Sequence, residues 1–125
     1  MIRQPSTKAR LYAWHRAAVA GENPPRHEGL PECGWYRTRL VKGGPWVPVR
    51  IWCEQEVDPQ TGELTAPEVL RCEVDGMLRD PARAWTFLRP ITRAEFEALS
   101  ARREAIPAMA ATMVRLDLTE RAIRP

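Results

Sequence analysis

The stretch from Gly34 to Trp52, GWYRTRLVKGGPWVPVRIW, constrains the fold more than any other part of the sequence. Two runs of alternating residue type, 35–41 and 46–53, flank the tetrapeptide KGGP, whose length is common for the loop of a β-hairpin. Successive side chains of a strand point to opposite faces, so each run divides its residues between two surfaces. The stretch therefore predicts an antiparallel hairpin with two chemically different faces.

Counting outward from a turn with Val41 opposite Trp46 gives the register of this hairpin. One face is then apolar, and its pairs are Leu40 with Val47, Thr38 with Val49 and Tyr36 with Ile51, extended by Cys53. We expect this face to be buried, because apolar side chains on one face of a sheet must pack against another layer. The rest of the expected core is contributed by Leu70, Val74 and Phe96.

The opposite face of the predicted hairpin is rich in tryptophan and arginine. Its pairs are Val41 with Trp46, Arg39 with Pro48, Arg37 with Arg50 and Trp35 with Trp52. Like charges directly opposite each other destabilise a ladder, so the Arg37–Arg50 pair needs an offset. Pro48 lacks a backbone donor, which predicts that its strand is at an edge or bulged there.

Four arrangements can offset the predicted arginine pair. The guanidinium groups can stack on neighbouring indoles, or internal carboxylates such as Glu73 or Glu54 can lie between them. An anion of a ligand can fill the same position. Alternatively, a helix covers the whole face, the tryptophans form a second small core, and the arginines extend outward to water. The sequence leaves these alternatives open.

Helices are predicted on both sides of the strands. The segment 7–20, TKARLYAWHRAAVA, has helix-forming composition, and Gly21 supplies a natural end. Thr92 and Glu95 have the spacing of a capping box, with Ile91 and Phe96 at the positions of a hydrophobic staple. This second signal predicts a helix over 93–105, which stops before Pro107.

These elements together predict an α+β fold, with a small antiparallel sheet flanked by an N-terminal and a C-terminal helix. The sheet consists of the hairpin 35–53 and a second hairpin, 69–79, which turns at Asp75-Gly76. A length of 125 residues fits a single domain, 1–125. We expect loose termini over 1–6 and 115–125, and an irregular connection over 21–33, where three prolines occur.

Composition excludes few classes of function. A formal charge of +3 permits nucleic acid as a partner without requiring it. The three cysteines have no CxxC spacing, which favours a reducing, cytoplasmic compartment. No apolar run approaches the roughly 18 residues of a membrane helix, so no membrane association is expected.

Catalytic signatures are absent from the sequence. It contains no GxSxG, HExxH, P-loop or dinucleotide-binding motif, which favours a protein that is not an enzyme and that uses no cofactor. His15 and His27 have no visible catalytic partner. A zinc site built on His27, Cys33 and a distant cysteine matches no familiar spacing, so no metal site is predicted.

The tryptophan- and arginine-rich face is the predicted binding surface. Its residues are Trp35, Arg37, Arg39, Trp46, Arg50 and Trp52. Aromatic platforms within basic grooves are typical of proteins that bind single-stranded DNA or RNA. Tryptophan and arginine are also enriched at the hot spots of protein–protein interfaces. The sequence leaves both classes of partner open, and it gives no indication of an oligomeric state.

The stretch 34–52, followed by DPQTGE, DP…W and PITRAEF, resembles small uncharacterised proteins encoded by bacteriophages and prophages of GC-rich proteobacteria. The resemblance covers about residues 33–99. It implies an accessory binding protein in the bacterial cytosol that contacts a host protein, a ribonucleoprotein complex or nucleic acid. An inhibitor of a host defence complex, similar to the anti-CRISPR proteins, is one such function, and a structural component of the virion is an alternative.

Overall fold

The computed structural model describes residues 4–104, and a five-stranded antiparallel sheet forms the centre of this region. The strands are β1 (Gly34–Arg39), β2 (Trp46–Glu54), β3 (Val69–Val74), β4 (Met77–Arg79) and β5 (Arg89–Pro90), arranged in the order β4-β3-β2-β1-β5. The helices are α1 (Lys8–Leu11), α2 (Ala13–Val19), α3 (Pro81–Trp85) and α4, which is described over 93–104. The α+β class with a central antiparallel sheet is confirmed, whereas β5 was not predicted.

The N-terminal helical segment is divided in two, contrary to the continuous helix predicted over 7–20. Thr7 caps α1 by accepting a hydrogen bond from the Arg10 N–H at 3.2 Å. Tyr12 leaves the helical region at φ −99° and ψ 8°, and its ring stacks on Trp35 with 5.2 Å between centroids. Gly21 follows the second helix at φ 83°, the left-handed conformation that glycine adopts without a steric penalty.

The hairpin between β1 and β2 forms, but its predicted register is wrong by two residues. Arg39 lies opposite Trp46, so the loop spans the six residues 40–45 rather than KGGP alone. A shift of two residues keeps every side chain on its predicted face. It replaces every predicted pair, and on the tryptophan- and arginine-rich face Arg37 now lies opposite Pro48 and Trp35 lies opposite Arg50.

Two other local signals are confirmed. Asp75 and Gly76 have φ values of 52° and 83°, as a tight hairpin turn between β3 and β4 requires. At the start of α4, Thr92 Oγ1 accepts from the Glu95 N–H and Glu95 Oε1 accepts from the Thr92 N–H, both at 3.1 Å. This reciprocal pair is the predicted capping box.

The core lies on the apolar face of the sheet, against α2 and α3. Its fully buried members are Tyr36, Val47, Val49, Ile51, Cys72, Trp85 and Leu88, with Val74 also buried. Leu40, predicted to be in the core, is 61% exposed, because the longer loop removes it from the strand. Leu70 and Phe96 are only half-buried.

Pro48 lies in a central strand, which contradicts the predicted edge position. Pairing between β2 and β3 begins at Val49, opposite Val74. One residue earlier, Pro48 already faces the turn between β3 and β4, and its carbonyl accepts from the Asp75 N–H at 2.8 Å. In an antiparallel ladder the N–H and C=O of one residue point to the same side. The missing donor of Pro48 therefore falls where the neighbouring strand has ended.

The connection between α2 and β1, residues 21–33, has no helix or strand, and it is tied to the core by side-chain hydrogen bonds. Its carbonyl groups accept from Trp14 Nε1, Trp85 Nε1 and the Tyr36 hydroxyl, at 2.8, 2.9 and 2.8 Å. Each of these donors is an aromatic side chain whose ring packs in or against the core. These contacts satisfy the polar edges of the buried rings.

Buried His15 joins α2 to the strands. Its Nε2 atom lies 2.9 Å from the Trp35 carbonyl and 2.7 Å from the Ile91 carbonyl. Carbonyl oxygens only accept, so Nε2 carries the proton. Gly34 makes this approach possible, because a Cβ atom there would lie 2.5 Å from the imidazole ring. His15 therefore has a structural role, which no motif in the sequence indicated.

Candidate anion-binding site

The six residues predicted to form the binding surface lie on one face of the sheet, but they form two separate groups, with Trp35 apart from both. Arg37, Arg39 and Trp46 come together near the loop 40–45. Arg50 and Trp52 contact each other further along β2. Trp35 lies under Tyr12 and Arg93. The predicted surface is therefore divided into an open part and a part that other elements cover.

The open part is a cluster of three arginines around one indole, which we call the Trp46 cluster: Arg37, Arg39, Arg89 and Trp46. The guanidinium carbons of Arg37 and Arg39 lie 4.3 and 4.2 Å from the centroid of the Trp46 ring, and that of Arg89 lies 5.8 Å away. Cation–π contacts at such distances contribute about 0.5–1 kcal/mol each at exposed sites. The indole orients three positive charges towards the same region of the surface.

A like-charge pair is present in this cluster, although it is not the predicted one. Arg37 of β1 lies directly opposite Arg89 of β5, not opposite Arg50. Direct opposition of like charges destabilises an antiparallel ladder. Here β5 is a strand of two residues, and it brings the second arginine to this position. The fold thus concentrates positive charge where a neutral pair would be more stable.

The guanidinium groups of the Trp46 cluster are not engaged by other protein groups of the described region. Within residues 4–104, the side chains of Arg37, Arg39 and Arg89 form no ion pair and donate no hydrogen bond to protein. The Nε atom of Arg37 is buried and has no partner in this region. Leaving a buried donor unsatisfied is unfavourable, so this atom adds to the energetic cost of placing Arg37 in the cluster.

The Glu95 carboxylate interacts electrostatically with Arg37 of the cluster. The pKa of Glu95 lies below its usual range, first because its carboxylate accepts from Thr92, and in smaller part because of the Arg37 guanidinium. The Glu95 carboxylate is already engaged in the capping box. It therefore tempers the charge of the cluster without forming an ion pair with it in the described region.

The second group of predicted residues is largely satisfied by the protein itself. Arg50 stacks on Trp52 at 4.2 Å, and its Nη2 atom lies 3.4 Å from Glu73 Oε1. Glu73 was one of the internal carboxylates considered for this role, whereas Glu54 pairs with Arg71 at 2.7 Å. Arg50 is thus neutralised internally.

Helix α4 covers the middle of this face, which was one of the open alternatives. A cavity of about 500 Å³ separates Phe96, Ser100 and Arg103 of the helix from Pro48 and Arg50 of the sheet. Arg103 holds the helix to the turn between β3 and β4, with Nη2 2.8 Å from Asp75 Oδ2 and Nε 3.2 Å from Oδ1. The described part of α4, residues 93–104, forms no ion pair or hydrogen bond with the Trp46 cluster.

Arg89 is the member of the site that sequence reasoning missed. It follows α3 in the segment FLRP, and nothing in that segment indicates a strand. Its position depends on the pairing of Tyr36 with Pro90, two residues that lie far apart in the chain. The only local signal was the composition of the segment, which places an arginine close to the exposed Phe87.

The three thiols offer no obvious nucleophile. Burial raises the pKa of Cys33 and of Cys72 to about 11. Burial and a hydrogen bond from its Sγ atom to Glu68 raise the pKa of Cys53 to about 12. All three are therefore protonated at neutral pH, and thiol nucleophiles react as thiolates.

Two further properties concern metals and membranes. Among residues 4–104, no three His, Cys, Asp or Glu side chains come together as a metal site would require. In the same region, no helix combines the length and apolar character that crossing a bilayer demands.

Comparison with known proteins gives no relative from which a role can be transferred. The chain matches no known family model, no curated protein and no solved structure.

Proposed function

We propose that this protein is a non-catalytic binding protein that contacts an anionic macromolecule through the Trp46 cluster. The observation that supports this most directly is the set of three arginines on one indole without acceptors among residues 4–104. Guanidinium groups present a fork of donors that matches phosphate and carboxylate oxygens. An incoming anion would relieve the repulsion between Arg37 and Arg89 and accept hydrogen bonds from guanidinium groups that no other described residue engages.

The partner we propose belongs to a bacterial host. This part of the proposal rests on the resemblance to phage and prophage proteins over residues 33–99. A host ribonucleoprotein complex, including a defence complex, fits the cluster because such a complex exposes both phosphates and acidic protein surfaces. Binding there would make the protein an accessory factor that acts by occupying a surface of its target.

The test compares two double variants that remove equal charge. Arg39→Ala with Arg89→Ala alters the Trp46 cluster at two exposed residues. Lys8→Ala with Arg10→Ala removes two positive charges from exposed residues at α1. Each protein is titrated with two labelled polyanions, a single-stranded oligonucleotide of mixed sequence and poly-L-glutamate, over a range of salt concentrations.

The cluster variant should bind at least one polyanion more weakly than the control variant does. For the oligonucleotide, the log–log dependence of affinity on salt should weaken by about 0.7 for each phosphate that the variant no longer binds. If both variants bind both polyanions alike, a general effect of net charge explains the binding and the proposed site is wrong.

A further inference from the structure

A groove beside the Trp46 cluster has the composition of a nucleobase site. It lies between α3 and the end of β1 and encloses about 370 Å³. Its apolar surface comes from Leu40, Val74, Ala84, Phe87 and Leu88. Thr38, Val74 and Leu88 belong to the apolar face of the sheet, so the groove opens on the side opposite the Trp46 cluster. Arg39, at the end of β1, is the residue common to both. A strand that contacts both features would pass around the end of β1 at Arg39.

Phe87 is the most exposed large apolar side chain of the described region, at 74%. Its backbone is held on both sides, since its N–H donates to the Ala84 carbonyl and its carbonyl accepts from the Thr38 hydroxyl at 3.4 Å. The ring makes no aromatic pair with other described residues. Such a ring, exposed on a fixed backbone, is a platform on which a planar group can stack.

The rim of the groove is positively charged. Arg39, Arg79 and Arg83 line it, with Asp80 as the single carboxylate among the described residues. Asp80 Oδ2 lies 4.0 Å from Arg83 Nε, and the Arg83 side chain is 91% exposed. Arg79 donates to the carbonyl and the thioether of its own strand. The arginines at the rim can therefore contact a ligand that carries negative charges on both sides of a planar group.

We propose that the groove takes one base of a single-stranded nucleic acid, stacked against Phe87, while the flanking phosphates contact Arg39 and the rim arginines. This inference rests on the proposed function, because the Trp46 cluster would hold the neighbouring phosphates. A flat apolar surface between cationic groups fits alternating bases and phosphates along a strand. An acidic peptide would also contact the arginines. Unlike a nucleic acid, however, it does not carry a planar group beside every negative charge that could stack on Phe87.

The experiment uses two strands that differ only in their bases. One is an oligothymidylate of about 12 nucleotides, within the site sizes of roughly 4–16 nucleotides known for single-strand-binding domains. The other is an abasic strand of equal length, with the same phosphates. Affinities of both strands are measured for the wild-type chain and for Phe87→Ala, Phe87→Trp and Leu30→Ala. Leu30 is a matched control, since it is 63% exposed and lies outside the groove.

We expect the wild-type chain to bind the oligothymidylate at least about five-fold more tightly than the abasic strand, as one stacked base would provide. Phe87→Ala should remove this preference and leave the affinity for the abasic strand unchanged. Phe87→Trp and Leu30→Ala should keep the preference. A thermal melt of each variant checks that this exposed position does not affect folding.

Two results would overturn the inference and leave the proposed function standing. The first is equal affinity for the two strands, with both still dependent on Arg39 and Arg89. The second is binding of poly-L-glutamate alone, which would identify an acidic protein as the partner. Loss of the base preference in Leu30→Ala as well as in Phe87→Ala would also contradict a base site in the groove.

Discussion

Two tryptophans of this protein have an arginine at the same distance, and their surroundings differ completely. Arg26 lies 4.3 Å from the centroid of Trp85, and Arg37 lies 4.3 Å from that of Trp46. Arg26 donates to the carbonyls of Trp85 and Leu88, and Trp85 is fully buried. Arg37 has a buried Nε atom with no acceptor in the described region.

The difference shows how a structural contact is distinguished from a binding surface. Residue types and ring distances are the same at both sites, so neither identifies function. The two sites differ in the acceptors that the guanidinium donors find within the protein. An arginine whose donors are already hydrogen-bonded to the protein has less to gain from a ligand. Trp85 with Arg26 anchors the connection over 21–33, whereas the arginines of the Trp46 cluster have no acceptor among the described residues.

The largest expected effect comes from placing a charge on each face of the sheet. Val49→Asp buries an unpaired carboxylate in the core, at a residue with no exposed surface, and should cost more than about 4 kcal/mol of stability. Arg39→Asp puts the same group on the exposed side and, with the loss of its contact to Trp46, should change stability by about 1 kcal/mol or less. Urea titrations measure both values, and comparable losses would mean that the two faces are not distinct.

Truncation of the two tryptophans tests the comparison directly. Trp85→Ala should cost about 3–5 kcal/mol of stability, because it empties the largest site of the core. Trp46→Ala should cost about 1–2 kcal/mol, since this side chain is only half-buried. On binding the order reverses, and Trp46→Ala should lose about 2 kcal/mol of affinity for the anionic partner. A similar stability loss for both variants would make Trp46 a core residue.

Gly34 tests the approach of α2 to the buried side of the sheet. Gly34→Ala forces a Cβ atom against the His15 ring, which two carbonyls hold in place, and should cost about 1–3 kcal/mol. Gly44→Ala is the matched control, because its nearest contact is a methyl group of exposed Val41, which can change rotamer. Thermal melts should show the larger loss for Gly34→Ala, and the opposite order would contradict the close packing of α2.

The smallest effect is expected from the two arginines themselves. Arg26→Ala removes two hydrogen bonds to carbonyls and should lower stability by about 1–2 kcal/mol. Arg89→Ala removes a like charge opposite Arg37 and should leave stability equal or slightly higher. Denaturant midpoints distinguish these outcomes. A clear loss of stability in Arg89→Ala would show that its charge has an internal partner.

The signals that the sequence carried reliably are local ones. The Asp75-Gly76 turn, the capping box of Thr92 and Glu95, and the sorting of β1 and β2 into two faces follow from neighbouring residues. Each depends on backbone conformations or side-chain alternation that a few adjacent residues determine. The candidate site was predicted to the same extent: the face was correct, and three members of the cluster, Arg37, Arg39 and Trp46, were among the six residues named.

Long-range pairing accounts for what the sequence missed. The hairpin loop has six residues where four were expected, and β5 joins β1 from a segment with no strand signal. Register and strand order depend on the packing of whole faces, so no single stretch encodes them. Those two features replaced Arg50 by Arg89 as the neighbour of Arg37, while the pairing of β2 with β3 put Arg50 opposite Glu73.

The sequence by itself therefore determined an antiparallel sheet with one apolar face and one face of tryptophan and arginine, because alternation is a local property of strands. Only the tertiary structure decided which arginines are satisfied. Arg26 and Arg50 find acceptors brought by α3 and β3, whereas Arg37, Arg39 and Arg89 meet one another around Trp46. The physical reason is that a guanidinium group becomes structural or available according to the distant acceptors that the fold brings within its reach.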